Sequence, residues 1–137
     1  KAMKSALIYY TAHKTGYCET ALRGCTDSQG VYIDSVIASV SDENLGQNIN
    51  TCLDKYNALF VVGDISRNDK AGLMSVLSCG FKNLKVTSKE IRAEQCKGYL
   101  LEFEGKKIVV LPDVPEKISR LVSAQLLEYL KMENKSI

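Results

Sequence analysis

The sequence predicts a three-layer α/β/α sandwich with a mostly parallel sheet and an antiparallel hairpin element near its C-terminal end. Apolar, β-branched runs alternate with segments whose apolar residues recur at helical spacing, which is typical of parallel strands joined by crossover helices. Two late apolar runs meet at Glu104 and Gly105, as in a hairpin. A chain of 137 residues, 45% of them hydrophobic, suits a single domain over residues 1–137.

The N-terminal segments predict strands and helices in alternation. The apolar run SALIYY (residues 5–10) predicts a buried first strand, and the helix after it is expected to close near Gly30. Consecutive β-branched residues in VYIDSVIASV (residues 31–40) favour a second strand. Asp42 is the predicted N-cap of the next helix, whose apolar residues share one face.

The later segments complete the pattern. The most strand-like run is ALFVV (residues 58–62), and a polar loop and a short helix ending at Gly80 follow it. The polar stretch 81–97 permits a short strand over LKVTS and a helical turn over SKEIRAEQC, capped by Ser88. One last helix is expected after the hairpin, followed by a frayed tail over residues 131–137.

Both prolines of the chain stand between the last predicted strand and the last helix. Pro112 cannot donate to a sheet ladder and therefore ends the strand, while Pro115 has the fixed φ that suits a first helical turn. Asp113 is held between them at a strand-to-helix turn. A carboxylate there can cap the helix, or it can stand beside an anion bound at the helix amides.

Composition and charge argue against several classes of function. The 18 basic and 16 acidic residues are spread along the chain, so the net charge of +2 gives no nucleic-acid footprint. No apolar run reaches the roughly 20 residues of a membrane span, and the first residues lack a signal-peptide layout, so a soluble cytoplasmic protein is expected. The five cysteines contain no C-x-x-C pair, which predicts reduced thiols and no metal site.

Polar residues gather after the third predicted strand, where ligands of such sheets bind. They are Arg67, Asn68, Asp69 and Lys70, at the end of the loop GDISRND and the residue after it. A solvated loop in which Asn68 or Asp69 caps the next helix explains the same residues equally well. The pattern therefore predicts either a binding loop or a helix cap.

Two stretches of the chain carry a resemblance to a known family. They are VVLPDVPEKISRLV and SDENLGQNINTCLDKYNALFVVGDISRNDKAG. They resemble the molybdopterin-binding domain family, which includes molybdenum-cofactor biosynthesis proteins and the N-terminal domain of CinA proteins. Asp113 stands at the glycine of the family's Leu-Pro-Gly-x-Pro element. Gly63 and Asp64 stand at its Gly-Gly turn, and Asp69 stands near its acidic position.

This resemblance implies a site for molybdopterin, a phosphorylated pterin, or for a nucleotide with magnesium. The residues it assigns to the site are Gly63, Asp64, Ser66, Arg67, Asn68, Asp69 and Asp113. If activity is retained, Asp64 and Asp69 would hold magnesium, while Arg67 or Lys70 would offset phosphate charge. Aspartates at two glycine positions of the family predict a divergent domain with lost or altered activity, so whether the chain is an enzyme stays open. The family is often trimeric or dimeric, which implies a homo-oligomer.

A second resemblance concerns the start of the chain. The stretch LIYYTAHKTGYCETA resembles the first strand and phosphate loop of a flavodoxin, with Thr11, Thr15, Gly16 and Thr20 as the matching donors. An electron-transfer protein that binds flavin mononucleotide (FMN) is therefore an alternative function, and a non-catalytic scaffold or regulatory domain is a third. His13, the only histidine, is expected to be an exposed loop residue rather than a catalytic base.

Overall fold

The computed structural model describes residues 2–67, 72–81 and 85–132. Strands and helices follow one another in the order β1 (Met3–Tyr10), α1 (Thr15–Thr26), β2 (Val31–Ser39), α2 (Asp42–Lys55), β3 (Ala58–Gly63), α3 (Leu73–Gly80), β4 (Thr87–Ala93), β5 (Cys96–Phe103), β6 (Lys106–Pro112), α4 (Pro115–Leu121) and α5 (Ala124–Lys131). A short 3-10 turn, Asp27–Gln29, follows α1 and ends at Gly30, whose φ of 76° favours glycine.

The six strands form one sheet in the order β2-β1-β3-β6-β5-β4. Strands β2, β1, β3 and β6 are parallel neighbours. At one side of the sheet, β5 pairs antiparallel with β6 and the edge strand β4 pairs antiparallel with β5. Alternating strands and helices require crossover connections, and these connections produce the parallel part. The predicted fold class, a mostly parallel α/β sheet with an antiparallel hairpin element, is confirmed.

Each face of the sheet carries its own hydrophobic core. Side chains from α1, α4 and α5 pack on one face, and side chains from α2 and α3 pack on the other. Every residue of β3 is buried, with Phe60 and Val62 facing the first core and Leu59 and Val61 the second. A strand that is covered on both faces is continuously apolar, which is why this segment has the clearest strand pattern in the sequence.

The predicted hairpin is confirmed. Strands β5 and β6 pair antiparallel with Phe103 opposite Lys106. Glu104 and Gly105 between them have φ values of 49° and 77°, the left-handed conformation that a two-residue hairpin turn requires. Pro112 is the last residue of β6 and Pro115 the first of α4, so both prolines act as predicted.

The structure corrects three expectations about local elements. The helical turn expected over SKEIRAEQC is instead part of the edge strand β4, which begins at Thr87 within the expected short strand LKVTS and pairs along β5. The cap of α2 is Ser41, whose Oγ accepts from the N–H of Asn44 at 3.1 Å, and Asp42 is the first helical residue. The single last helix is two helices, because α5 has its own cap, in which Oγ of Ser123 accepts from the N–H of Leu126.

The C-terminal end of α5 is anchored to the sheet by a buried lysine. Lys107 on β6 is 3% exposed, and its Nζ donates to the carbonyls of Tyr129 at 2.9 Å and Met132 at 2.7 Å. Burial lowers the pKa of this ammonium, while the helix carbonyls supply hydrogen-bond acceptors at the negative end of the helix dipole. Most of the predicted frayed tail, residues 133–137, lies outside the described residues.

The cysteines described by the structure are free thiols, as predicted. Cys18, Cys52 and Cys96 are buried and belong to the two cores. In the described part of the chain, no helix is long and apolar enough to cross a membrane.

Candidate functional site

Three turns meet at the carboxyl edge of the parallel strands. Tyr10, the last residue of β1, lies opposite Gly63, the last residue of β3, and Gly63 lies opposite Pro112 of β6. The segments that follow these residues leave the sheet at the same level and on adjacent strands. The strand-end loops predicted from the sequence are therefore brought together at one edge of the sheet.

Gly63 permits a close approach of β1 and β3. A Cβ atom at this position would lie 2.8 Å from the carbonyl oxygen of Tyr10 and 3.0 Å from Cδ2 of Leu73. Contacts that short force the surrounding atoms to move, and a backbone oxygen inside a sheet cannot rotate away. Gly63 thus sets the spacing of the two turns that carry the candidate site.

Asp64 folds its carboxylate back onto its own loop. Its Oδ1 accepts from the N–H of Ser66 at 3.1 Å and from Oγ of Ser66 at 2.6 Å. These hydrogen bonds hold the pKa of the Asp64 carboxyl below its usual value, and electrostatic interactions with His13 and Arg67 lower it further. The loop therefore presents an ionised carboxylate beside the exposed side chains of Ser66 and Arg67.

A hydrogen-bonded pair joins the turn after β6 to the turn after β1. Oδ2 of Asp113 accepts from the backbone N–H of His13 at 2.8 Å and lies 3.1 Å from Nδ1 of the same residue. Val114 is the N-cap of α4, and the helix has no side-chain cap, so Asp113 does not cap it. The His13 side chain is 82% exposed, as expected for a loop residue, whereas that of Asp113 is 12% exposed.

The site residues predicted from the sequence divide into two groups. Gly63, Asp64, Ser66, Arg67 and Asp113 are described and lie at the carboxyl edge. Asn68 and Asp69, together with Lys70, lie outside the described residues. Sequence reasoning did not include His13 in the site, because the pairing with Asp113 spans 100 positions and leaves no local pattern.

The described part of the chain contains no group of three or more His, Cys, Asp or Glu side chains that could hold a metal ion. Of the two carboxylates that the resemblance implies for magnesium, only Asp64 is described, and one of its oxygens is occupied by Ser66. Magnesium prefers an octahedral set of oxygen ligands. The described residues do not fit such a site.

The start of α1 differs from a flavodoxin phosphate loop. The hydroxyl of Thr20 donates to the carbonyl of Gly16 within the helix, at 3.0 Å. The carbonyl of Thr15 accepts from the hydroxyl of Tyr9 at 2.7 Å. The sheet also differs, because the antiparallel strands β5 and β4 extend it where a flavodoxin continues with parallel strands.

These features define a class of protein. It is an α/β domain whose parallel strands end in a polar cluster, the usual place for a small ligand in open sheets of this type. Solved structures of molybdenum-cofactor and CinA proteins share the fold.

The structure of molybdenum cofactor biosynthesis protein B aligns with a TM-score of 0.71 at 11% identity, over 95% of this chain and 94% of that one. The protein CinA from Thermoplasma acidophilum aligns with a TM-score of 0.68 at 10% identity, over 95% and 96%. The molybdopterin biosynthesis moea protein from Pyrococcus horikosii aligns at 0.61 and 17% identity, over 94% of this chain but 36% of that protein. No protein-family model and no curated protein sequence matches the chain. These likenesses confirm the predicted molybdopterin-binding-like fold.

The lowered pKa of Asp64 predicts a measurable dependence of stability on acid. A carboxyl whose pKa is lower in the folded state contributes stability that is complete above its ordinary pKa of 3.8 and is lost as the pH falls through the folded value. We expect Asp64→Asn to have a lower free energy of unfolding than the parent at pH 6, and we expect this difference to shrink toward pH 3. Urea unfolding at both pH values measures the difference, with Asp54→Asn, at an exposed position, as control. A difference that stays constant with pH would contradict the role given to this carboxylate.

Proposed function

We propose that the chain binds a small phosphorylated ligand of the molybdopterin class, a phosphorylated pterin or a nucleotide, across the turns after β1, β3 and β6. The observation that carries the proposal is the meeting of these turns in one polar cluster, closed by the pairing of Asp113 with His13. The shared fold with molybdenum-cofactor proteins supports the class of ligand.

The charges of the cluster suit the two ends of a phosphorylated pterin differently. The exposed Arg67 carries a permanent positive charge suited to a phosphate. Helix α1 begins at Thr15 without a side-chain cap, and the amides at a helix start favour an anion. The carboxylates of Asp64 and Asp113 would repel a phosphate but accept hydrogen bonds from the amino and ring N–H groups of a pterin.

This division of roles orients the ligand. The phosphate lies toward Arg67 and the start of α1, and the ring lies toward the carboxylates. Asn68 and Asp69 follow Arg67 in the chain and are included in the proposed site because of the sequence resemblance. The proposal is one of binding, and it assigns no catalytic residue and no step through magnesium.

Isothermal titration calorimetry with a pterin monophosphate tests the proposal. Arg67→Gln should weaken binding about tenfold or more, because losing one charged hydrogen bond costs about 1.5–3 kcal/mol. Arg92→Gln on the edge strand β4 removes the same charge from an exposed residue elsewhere and should leave the affinity unchanged.

The same titration separates the competing functions. Tight binding of FMN that Thr15→Ala weakens would favour the flavodoxin alternative. Equal affinity of the parent, Arg67→Gln and Arg92→Gln for the pterin would remove Arg67 from the site. Absence of binding by the parent would contradict the proposed function and leave a scaffold as the remaining candidate.

A further inference from the structure

A cavity lies at the edge of the sheet opposite the carboxyl-edge cluster, where the parallel strands begin. Its volume is about 800 Å³. We call it the basic basin, and the polar side chains that matter most in its lining are Lys4, Lys55, Asn57, Lys106, Lys107 and Lys131. A cavity of this size suits a ligand as large as a nucleotide. The basin shares no lining residue with the carboxyl-edge cluster.

The basin concentrates positive charge. Among its described lining residues, five lysines stand against two carboxylates, Asp34 and Glu104, although the whole chain carries a net charge of only +2. The lysines come from β1, α2, β6 and α5, so the fold gathers residues that are far apart in the sequence. A cavity lined mainly by one sign of charge raises the local concentration of the opposite ion.

Three of the lysines are held in place by the protein itself. Lys106 Nζ donates to Oδ1 of Asn57 at 2.9 Å. Lys131 Nζ donates to the carbonyl of Gln29 at 2.8 Å and forms an ion pair with Glu128 at 2.9 Å, which offsets part of its charge. Lys107 is bound to the carbonyls at the end of α5. The ammonium groups of Lys106 and Lys131 form a fixed basic floor that does not have to become ordered when a ligand binds, and the buried Lys107 adds its charge beneath this floor.

The two remaining lysines stand exposed at the rim. Lys4 makes no hydrogen bond or ion pair with a described residue, and Lys55 lies with Nζ 5.5 Å from the ring centre of Tyr56. The pKa of Asp34 is lowered by a hydrogen bond that its Oδ2 accepts from the hydroxyl of Tyr56 at 2.7 Å, and both lysines help to lower it. One oxygen of Asp34 is thus hydrogen-bonded to Tyr56. The ammonium groups of Lys4 and Lys55 can therefore bind an anion that enters from solvent.

We propose that the basic basin binds a polyphosphate group. Lys4 and Lys55 contact the phosphates from the rim of the basin, and the fixed lysines lie beneath them. Several ammonium groups at one place suit a chain of phosphates, because each is a compact point charge. Among the described lining residues the one aromatic side chain is Tyr56, which is buried and offers no surface on which a base could stack. Recognition therefore falls on the phosphates, and inorganic tripolyphosphate and a nucleoside triphosphate should bind alike.

Calorimetric titration of tripolyphosphate, ATP and AMP at 0.15 M salt, about physiological ionic strength, tests this site. We expect the parent to bind tripolyphosphate and ATP with affinities within about threefold, and AMP at least tenfold more weakly, because a single phosphate meets fewer lysines. Lys4→Gln combined with Lys55→Gln should weaken tripolyphosphate about tenfold or more. Lys85→Gln combined with Lys97→Gln changes the net charge equally at exposed residues outside the basin and should alter affinity less than twofold, roughly the size of a screened surface effect.

Several outcomes would overturn the proposal. Equal losses in the two double variants would show that overall charge, and not the basin, attracts the anion. If Arg67→Gln lost as much affinity for tripolyphosphate as the Lys4→Gln and Lys55→Gln double variant, the anion would be assigned to the carboxyl edge. Tighter binding of a single-stranded RNA oligonucleotide than of tripolyphosphate would point to a nucleic acid. None of these results depends on whether the pterin monophosphate binds, so this proposal and the proposed function can fail separately.

Discussion

Replacing Gly63 by alanine should lower the free energy of unfolding by about 2–3 kcal/mol, because the added methyl group overpacks a rigid part of the sheet. The new Cβ would lie 2.8 Å from the carbonyl oxygen of Tyr10, which is held in the β1 and β3 ladder. Relief requires the two strand ends to separate, and the turns after them carry the candidate site. We therefore expect Gly63→Ala to weaken binding of the pterin monophosphate as well.

Gly46→Ala provides the matched control. Gly46 lies in α2, and a Cβ there meets no atom within 4 Å. Alanine in a helix interior is more favourable than glycine by about 0.5–1 kcal/mol, so this variant should be slightly more stable than the parent. Urea unfolding of both variants, followed by circular dichroism, gives the comparison. Equal stability of Gly63→Ala and the parent would contradict the close approach of β1 and β3.

Replacing Lys107 by methionine should cost about 2–3 kcal/mol, since it removes two charged hydrogen bonds to partly buried carbonyls of α5 and the residue that follows it. Methionine fills a similar volume, so the loss reports hydrogen bonding rather than a cavity. The lowered pKa of Lys107 indicates that burying its ammonium group costs free energy, and the substitution removes this cost. The expected loss of stability is therefore smaller than the sum of the two hydrogen bonds.

Hydrogen exchange locates the effect of this substitution. The carbonyls involved belong to Tyr129 and Met132, so amides of α5 should lose protection in Lys107→Met before those of β1 and β3 do. Lys117→Met, at an exposed position of α4, changes the same residue type and should leave stability within about 0.5 kcal/mol. Unchanged protection of α5 would contradict its anchoring by Lys107.

The elements predicted correctly from the sequence are those with strong local patterns. The continuous apolar run of β3 reflects burial on both faces, and the turn at Glu104 and Gly105 has residues suited to a hairpin. Strand β4 lacks such a pattern because it is the edge strand and is largely exposed. The break at Ser123 was missed because apolar residues on both sides of it pack on the same core.

The candidate site was predictable only in part. The loop after β3 and the turn at Asp113 could be assigned to one edge because parallel strands end together. The contact of Asp113 with His13 depends on the tertiary structure and joins residues 100 positions apart. The basic basin was also hidden, since its lysines are scattered in the sequence and each one alone is typical of a solvated surface.

The central claim is that the turns after β1, β3 and β6 form one ligand site. Titration of the isotopically labelled protein with a pterin monophosphate, followed by amide chemical shifts in NMR spectra, tests it most directly. We predict that the largest amide shifts fall on residues 11–16, 63–67, 113, 114 and 116 and saturate with a single dissociation constant. Shifts centred on the basic basin, or no shifts at saturating ligand, would contradict the account.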